Sequence, residues 1–194
     1  MELILVRHAE PVEAHSEGEV PADPGLSERG RIQAERAASW LTSARIDRVL
    51  SSPALRAWET AAPTASRAGA EVVVDDRLRD ANEDPRHYVP IEVDRARDRA
   101  GYLERVESYR SSPRLAGIVD RVNESLQEWT AQSRGERIAV FCHGSVINVY
   151  AAGVLGLGSL AFLEAGYASA HRFMISSKGI RSVQSLNETA YLSL

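Results

Sequence analysis

The chain has 194 residues, of which 44% are hydrophobic and 26% charged, a composition typical of a single globular domain. Its formal net charge of −4 argues against a general nucleic-acid binder, because such a protein needs a basic surface for phosphate groups. Cys142 is the only cysteine, which excludes an intramolecular disulfide and a cysteine-rich zinc site and favours a cytoplasmic location.

The first part of the chain predicts strands that alternate with helices. Short apolar runs are typical of strands buried on both faces, and apolar residues at helical spacing indicate the helices between them. In chain order the elements are a strand at 3–6, a helix from 27 to about 44, a strand at 47–52, a helix from 52 onward and a strand at 71–74. Ser27 is predicted to cap the first helix, and Ser52 with Pro53 is predicted to open the second.

The pattern changes at residues 77–114, which are rich in charge and weak in periodicity, and we expect them to be a cap inserted into a single domain over 1–194. After them come a predicted helix at 115–129, a strand at 138–141, a helix from 145, and a hairpin of two strands at 168–175 and 180–186. The longest uncharged run contains Asn148 and several glycines, so we expect a buried helix there rather than a membrane span.

This alternation of strands and helices predicts the fold class α/β, with three layers in the order α/β/α. The central sheet is expected to be mostly parallel, with the terminal hairpin as an antiparallel edge. In such sheets the ligand lies beyond the carboxyl ends of the strands. Arg7, His8 and His143 directly follow predicted strands, and Arg56 stands near the start of a helix, where anions bind readily. We therefore predict that these four side chains converge on one site.

That set of side chains suits phosphoryl transfer. Two guanidinium groups match the oxygens of a phosphoryl group, and two imidazoles beside them cannot both be charged without cost. A neutral imidazole can attack phosphorus and carry the group as a phosphohistidine. Because the protein itself supplies positive charge, we expect no metal and no other cofactor, and the arginines would repel a metal cation bound by the histidines.

Four segments resemble those of one protein family. They are LVRHAE at 5–10, LSERGRIQA at 26–34, SSPALRAWETA at 51–61 and FCHGS at 141–145, and together they resemble the histidine phosphatase superfamily, the phosphoglycerate mutase-like family. The resemblance implies a phosphoglycerate mutase-like fold, with His8 as the phosphorylated nucleophile and Arg7, Arg56 and His143 around the phosphate. Ala9 departs from the glycine that the family often has at that position.

A general acid is needed to protonate the leaving oxygen. The family usually places a glutamate after the third strand, where this chain has Asp80 in the aligned position and Glu83 three residues later. We favour Asp80 and keep Glu83 as the alternative. Glu10 and Gly144 adjoin the two histidines and are predicted to contact substrate.

The leading hypothesis is a metal-independent phosphomonoesterase that acts on a small phosphorylated metabolite through phosphorylated His8. A phosphoglycerate mutase and a catalytically weak phosphate-binding module are the alternatives, since both would keep the same pocket. Arg77, Arg79 and Arg86 suggest that the substrate carries a second anionic group. We expect no nucleic-acid or membrane partner, and the apolar C-terminal half can support a homodimer.

Overall fold

A six-stranded sheet forms the centre of the computed structural model, which describes residues 1–16, 21–81, 86–110 and 112–193. The strands are, in chain order, β1 (Glu2–Arg7), β2 (Ala14–His15), β3 (Arg48–Ser51), β4 (Val72–Val74), β5 (His87–Tyr88), β6 (Arg137–Cys142), β7 (Ala170–Ile175) and β8 (Arg181–Glu188). The central sheet has the order β4-β3-β6-β1-β7-β8, and β2 pairs with β5 separately. Strands β4, β3, β6 and β1 are parallel, whereas β7 and β8 are antiparallel, which confirms the predicted sheet.

Helices cover both faces of this sheet. They are α1 (Glu28–Leu41), α2 (Leu55–Ala68), α3 (Ile91–Arg97), α4 (Arg99–Arg110), α5 (Pro113–Gly117), α6 (Val119–Gln132) and α7 (Gly144–Leu155). Side chains of a strand alternate between faces, and in β1 Leu3 and Leu5 join the core beneath α6 and α7, whereas Ile4 and Val6 join the core beneath α1 and α2. The three-layer α/β/α prediction is confirmed.

Helix α1 begins as its sequence predicts. Ser27 is the N-cap, and its Oγ accepts a hydrogen bond from the Gly30 amide at 3.0 Å. Glycine at this position has a packing reason, because a Cβ on Gly30 would lie 2.0 Å from the backbone oxygen of Glu10. The segment after β1 therefore packs directly on the first turn of α1.

The start of α2 differs from the prediction that Ser52 caps it with Pro53 in its first turn. The helix begins at Leu55 after Ala54, which has no capping side chain. Asp23, from the loop before α1, instead accepts the Leu55 amide at 2.9 Å. The Ser52 hydroxyl accepts the Ala54 amide at 3.3 Å and also contacts the site described below, so a residue distant in sequence satisfies the first amide of the helix itself.

The predicted helix at 115–129 is also two helices rather than one. The break falls at Ile118, whose amide bonds to the carbonyl of Leu115, only three residues earlier. The apolar spacing continues across this tight turn, so periodicity alone does not reveal the break.

Two helices, α3 and α4, form half of the charged segment at 77–114. Tyr102 is the only buried residue in these two helices, which the structure describes in full. Ion pairs tie the segment together and to the loop after β1, with Arg105 on Asp94 and Arg97 on Glu13. Among the described residues, no helix has both the length and the apolar character needed to cross a membrane.

Candidate active site

The ends of three neighbouring strands bring His8, Ser52 and His143 together. These residues directly follow β1, β3 and β6, which are adjacent and parallel in the sheet. The His8 amide donates to the Cys142 carbonyl at 2.8 Å, and the Ser52 amide donates to the Phe141 carbonyl at 2.9 Å. Sheet hydrogen bonding thus continues one residue past β1 and β3 and fixes the backbone at the site.

His8 has the geometry of a nucleophile. Its Nδ1 lies 2.9 Å from the Ala9 carbonyl, which can only accept, so Nδ1 carries the proton and Nε2 keeps its lone pair. Burial, together with the positive charges of Arg56 and Arg7, holds the pKa of His8 well below its ordinary value. The imidazole is therefore neutral near pH 7, as predicted for at least one of the two histidines.

His143 lies beside His8, with 5.3 Å between the ring centroids. Its Nε2 is 2.8 Å from the Ser52 hydroxyl, and its Nδ1 is 3.4 Å from Arg56 and 3.7 Å from Asp80. Burial is the main cause that lowers the pKa of His143, to about 3, with Asp80 opposing the shift and Arg56 adding to it. His143 is thus a second neutral imidazole, oriented by Ser52.

Arg7 and Arg56 supply the positive charge. Arg7 donates to the Ala165 carbonyl at 2.6 Å and stacks on Tyr167, with its Cζ 4.0 Å from the ring centroid. Arg56 stacks on Tyr88 at 4.7 Å, and its buried Nε has no hydrogen-bond partner within the described part of the chain. A buried guanidinium N–H without an acceptor is costly, and an oxygen of a bound anion would satisfy it. We call Arg7, His8, Arg56 and His143 the strand-end pocket.

Asp80 faces this pocket with one of its two carboxylate oxygens. Oδ1 accepts from the Ser145 hydroxyl at 2.5 Å and from the Ala81 amide at 2.8 Å. Oδ2 lies 3.7 Å from both Arg56 and His143. Burial raises the pKa of Asp80, but attraction by His143 and Arg56, with the hydrogen bond from Ser145, outweighs it and leaves the pKa below its ordinary value. Glu83, the alternative acid, lies outside the described residues.

Other predicted residues have different surroundings. The Glu10 carboxylate accepts from the Ser27 hydroxyl at 2.9 Å and pairs with Arg29, so it is engaged at the start of α1. Gly144 is the first residue of α7, directly after His143. Ala9 is not among the described non-glycine residues with positive φ, so alanine at this position carries no backbone strain.

Two of the three arginines expected to bind a second anionic group are engaged by acidic side chains. Arg77 pairs with Asp75 and Glu128 at 2.8 and 2.7 Å, and Arg79 pairs with Asp76 at 2.8 Å. Arg86 is exposed. The number of arginines in this segment therefore does not measure the positive charge available to bind a ligand at the pocket.

Sequence reasoning missed the residues that position the others. Ser52 orients His143, and Ser145 holds Asp80. Both stand within the segments singled out by sequence, next to Pro53 and Gly144, so their hydroxyl groups were the available signal. Tyr88 and Tyr167 were missed because they lie in segments without a motif, and only the fold places their rings on Arg56 and Arg7.

Comparison with known proteins points to one family. The profile of the histidine phosphatase superfamily (branch 1) matches residues 3–189. Phosphoserine phosphatase 1 of Hydrogenobacter thermophilus is 28% identical over 200 residues, covering 99% of this chain and 94% of that protein. Phosphoglycerate mutase-like protein 4 of Arabidopsis thaliana is 33% identical over 160 residues, 76% of this chain and 68% of that protein. A mycobacterial glucosyl-3-phosphoglycerate phosphatase has the same fold, with a TM-score of 0.74, 23% identity and coverage of 97% and 99%.

Proposed function

This chain belongs to the histidine phosphatase superfamily, and on that basis we propose that it is a metal-independent phosphomonoesterase that works through a phosphohistidine at His8. The observation that carries the proposal is the strand-end pocket itself, in which two guanidinium groups and two neutral imidazoles meet. Two curated relatives named as phosphatases, a phosphoserine phosphatase and a glucosyl-3-phosphoglycerate phosphatase, support hydrolysis. The single free cysteine, Cys142, supports our further proposal of a cytoplasmic location.

In the first step Nε2 of His8 attacks phosphorus, and the bond between phosphorus and the ester oxygen breaks. Arg7, Arg56 and His143 stabilise the charge that spreads over the other three phosphoryl oxygens. Asp80, protonated in the substrate complex, gives its proton to the leaving oxygen and so releases an alcohol. The dianionic phosphoryl group offsets Arg56 and raises the pKa of Asp80, which makes the proton available when substrate binds.

In the second step water attacks the phosphorus of phospho-His8, and the bond between nitrogen and phosphorus breaks. The Asp80 carboxylate takes the proton from that water, so inorganic phosphate leaves and both residues return to their starting states. A mutase would instead pass the phosphoryl group back to the substrate. We propose that residues 77–114 act as the cap over this site, because α3 and Tyr88 adjoin Tyr167 and Arg56.

The test is the initial rate of p-nitrophenyl phosphate hydrolysis in excess chelator, for wild type, His8→Ala and His15→Ala. His15 is an exposed histidine of the short strand β2 and serves as the matched control. We expect hydrolysis that survives the chelator, is lost in His8→Ala and persists in His15→Ala. Activity that disappears with the chelator, or that survives in His8→Ala, would contradict the mechanism. Phosphoryl exchange within phosphoglycerate without release of phosphate would identify a mutase instead.

A further inference from the structure

One carboxylate at the site has no role in the phosphoryl chemistry. Glu92 is the second residue of α3, and its Oε2 is buried without a hydrogen-bond partner among the described residues. Buried carboxylate oxygens are normally hydrogen-bonded, because burying a charged group without a donor costs far more than burying a neutral polar group. The position of Glu92 therefore calls for a donor that the described chain does not supply.

Glu92 is fixed beside the strand-end pocket by its neighbour in sequence. The Ile91 amide donates to the Tyr167 hydroxyl at 3.0 Å, which anchors the first turn of α3 on that tyrosine. The Tyr167 ring in turn lies 4.0 Å from the guanidinium carbon of Arg7 and 5.6 Å from the ring centroid of His8. A ligand held by Arg7 and His8 thus lies close to the tyrosine on which α3 rests.

Three tyrosines lie close enough to this carboxylate for its charge to act on them. Burial raises the pKa of Tyr88, Tyr102 and Tyr167, and the negative charge of Glu92 adds to the increase for all three. We call Tyr88, Glu92, Tyr102 and Tyr167 the outer wall. The faces of aromatic rings and a carboxylate both attract positive charge, so this combination favours a cation.

The cation nearest in sequence is already paired. Arg95, one turn further along α3, donates to Glu164 at 2.9 Å, and its Cζ lies 5.8 Å from the centre of the Tyr102 ring. Arg7 and Arg56 are held by Tyr167 and Tyr88 in the strand-end pocket. Within the described part of the chain, Glu92 therefore has no ion-pair partner, and an external cation could balance its charge.

We propose that Glu92 binds a protonated amino group of the substrate, so that the preferred substrates are phosphomonoesters of amino alcohols or hydroxy amino acids. An ammonium group both donates hydrogen bonds to the buried oxygen and neutralises its charge. A hydroxyl group can donate a hydrogen bond but leaves the charge in place. This inference rests on the proposed function, since it assumes that the phosphoryl group of the same molecule lies in the strand-end pocket. It adds a cationic group to the substrate, which the sequence-based expectation of a second anionic group did not include.

Three substrates of similar size test the proposal. Aminoethyl, hydroxyethyl and propyl phosphate place an ammonium, a hydroxyl and a methyl group at the same distance from phosphorus. We expect wild-type kcat/KM for aminoethyl phosphate to exceed that for propyl phosphate by roughly tenfold or more, the range of a hydrogen bond to a charged group. Glu92→Gln should reduce that ratio to near unity. Glu104→Gln, an exposed glutamate on α4, makes the same charge change and should leave the ratio as in wild type.

The proposal would be overturned if the ratio of kcat/KM for aminoethyl phosphate to that for propyl phosphate were the same in wild type and Glu92→Gln. Equal rates for hydroxyethyl and aminoethyl phosphate would also overturn it, because the site would then recognise a donor and not a charge. Glu92→Gln should melt at or above the wild-type temperature, since it removes an unsatisfied buried charge, and this separates lost selectivity from unfolding.

Binding without turnover separates this proposal from the proposed function. Calorimetric affinities of the three compounds are measured on His8→Ala, with and without Glu92→Gln. A binding preference for aminoethyl phosphate that depends on Glu92 supports the subsite, even if wild type hydrolyses none of the three compounds. That absence of hydrolysis would count against the phosphatase proposal alone. No preference in these affinities, with hydrolysis of p-nitrophenyl phosphate intact, would overturn the subsite alone.

Discussion

The strand-end pocket and the outer wall adjoin each other but are built in different ways. In the pocket, His8 extends the hydrogen bonding of adjacent parallel strands, His143 directly follows β6, and Arg56 stands on the first turn of a long helix. In the outer wall, Glu92 lies on α3 and Tyr102 on α4, and Tyr102 is the only buried residue of these two helices. The sheet therefore dictates the positions of the reacting groups, whereas the wall depends on packing between loops and short helices. Such a division lets one chemistry serve many substrates.

Asp80 stands where the two regions meet, and its loss should have the largest effect of the variants proposed below. Asp80→Asn should lower kcat for propyl phosphate by about 10²–10⁴-fold, because the alkoxide then leaves without a proton. The loss should be smaller for p-nitrophenyl phosphate, whose leaving group is stable as an anion. Glu83→Gln, assayed with the same two substrates, is the control. If Glu83→Gln shows the substrate-dependent loss and Asp80→Asn keeps full rate, Glu83 is the acid.

Arg56 tests how strictly the strand-end pocket depends on geometry. Arg56→Lys keeps the charge but loses the forked donors and the buried Nε–H, and kcat/KM should fall by about 10²–10³-fold. Arg67→Lys, on the same helix and paired with Glu35 at the surface, should keep the wild-type value. Comparable activity in the two variants would mean that positive charge alone, without the fork, suffices in the pocket.

The contrast between the two regions explains what could be predicted from sequence. His8, Arg56 and His143 follow directly from strand ends and helix starts, so a reading of periodicity places them at one edge of the sheet. The mostly parallel sheet and its antiparallel edge follow from the same pattern of elements. Ser27 marks the start of α1, since its cap bond to the Gly30 amide is local to that segment.

Contacts between distant segments could not be predicted in this way. Asp23 accepts the Leu55 amide at the start of α2 from another loop, while the Ser52 hydroxyl accepts the Ala54 amide and also lies 2.8 Å from His143. The arginines of the 77–114 segment suggested an anionic subsite, yet Arg77 pairs with Asp75. A count of charges in sequence does not reveal which of them neutralise one another.

The pH dependence of the free energy of unfolding tests whether buried histidines are neutral in the folded state. Burial lowers the pKa of His143 to about 3 and that of His171 to about 4, below the value of about 6.5 in an unfolded chain. Below pH 6.5 the unfolded state therefore binds more protons, and the free energy of unfolding should fall as pH falls. Each histidine should contribute a loss of about 2 kcal/mol between about pH 6.5 and 5.

Urea denaturation at about pH 7 and pH 5 measures this loss. His171→Gln removes one of the titrating groups without touching the strand-end pocket, so the loss between the two pH values should shrink by about 2 kcal/mol. The same pH dependence in wild type and His171→Gln would show that this imidazole is not held neutral by burial in the folded state.

The smallest expected effect concerns Ser52, which acts on the reaction only through His143. Ser52→Ala removes one hydrogen bond to Nε2 and should lower kcat by roughly tenfold or less, in line with the net value of about 1 kcal/mol for such a bond. The ring would then sample both tautomers, and nitrogen NMR shifts of His143 should move while those of His8 stay in place. Ser43→Ala, whose hydroxyl donates to the Trp40 carbonyl at an exposed position, should change neither the rate nor the shifts. If the tautomer of His143 is the same in wild type and Ser52→Ala, then Arg56 and Asp80 on the other ring nitrogen suffice to orient it, and the pocket depends less on β3 than its hydrogen bonds imply.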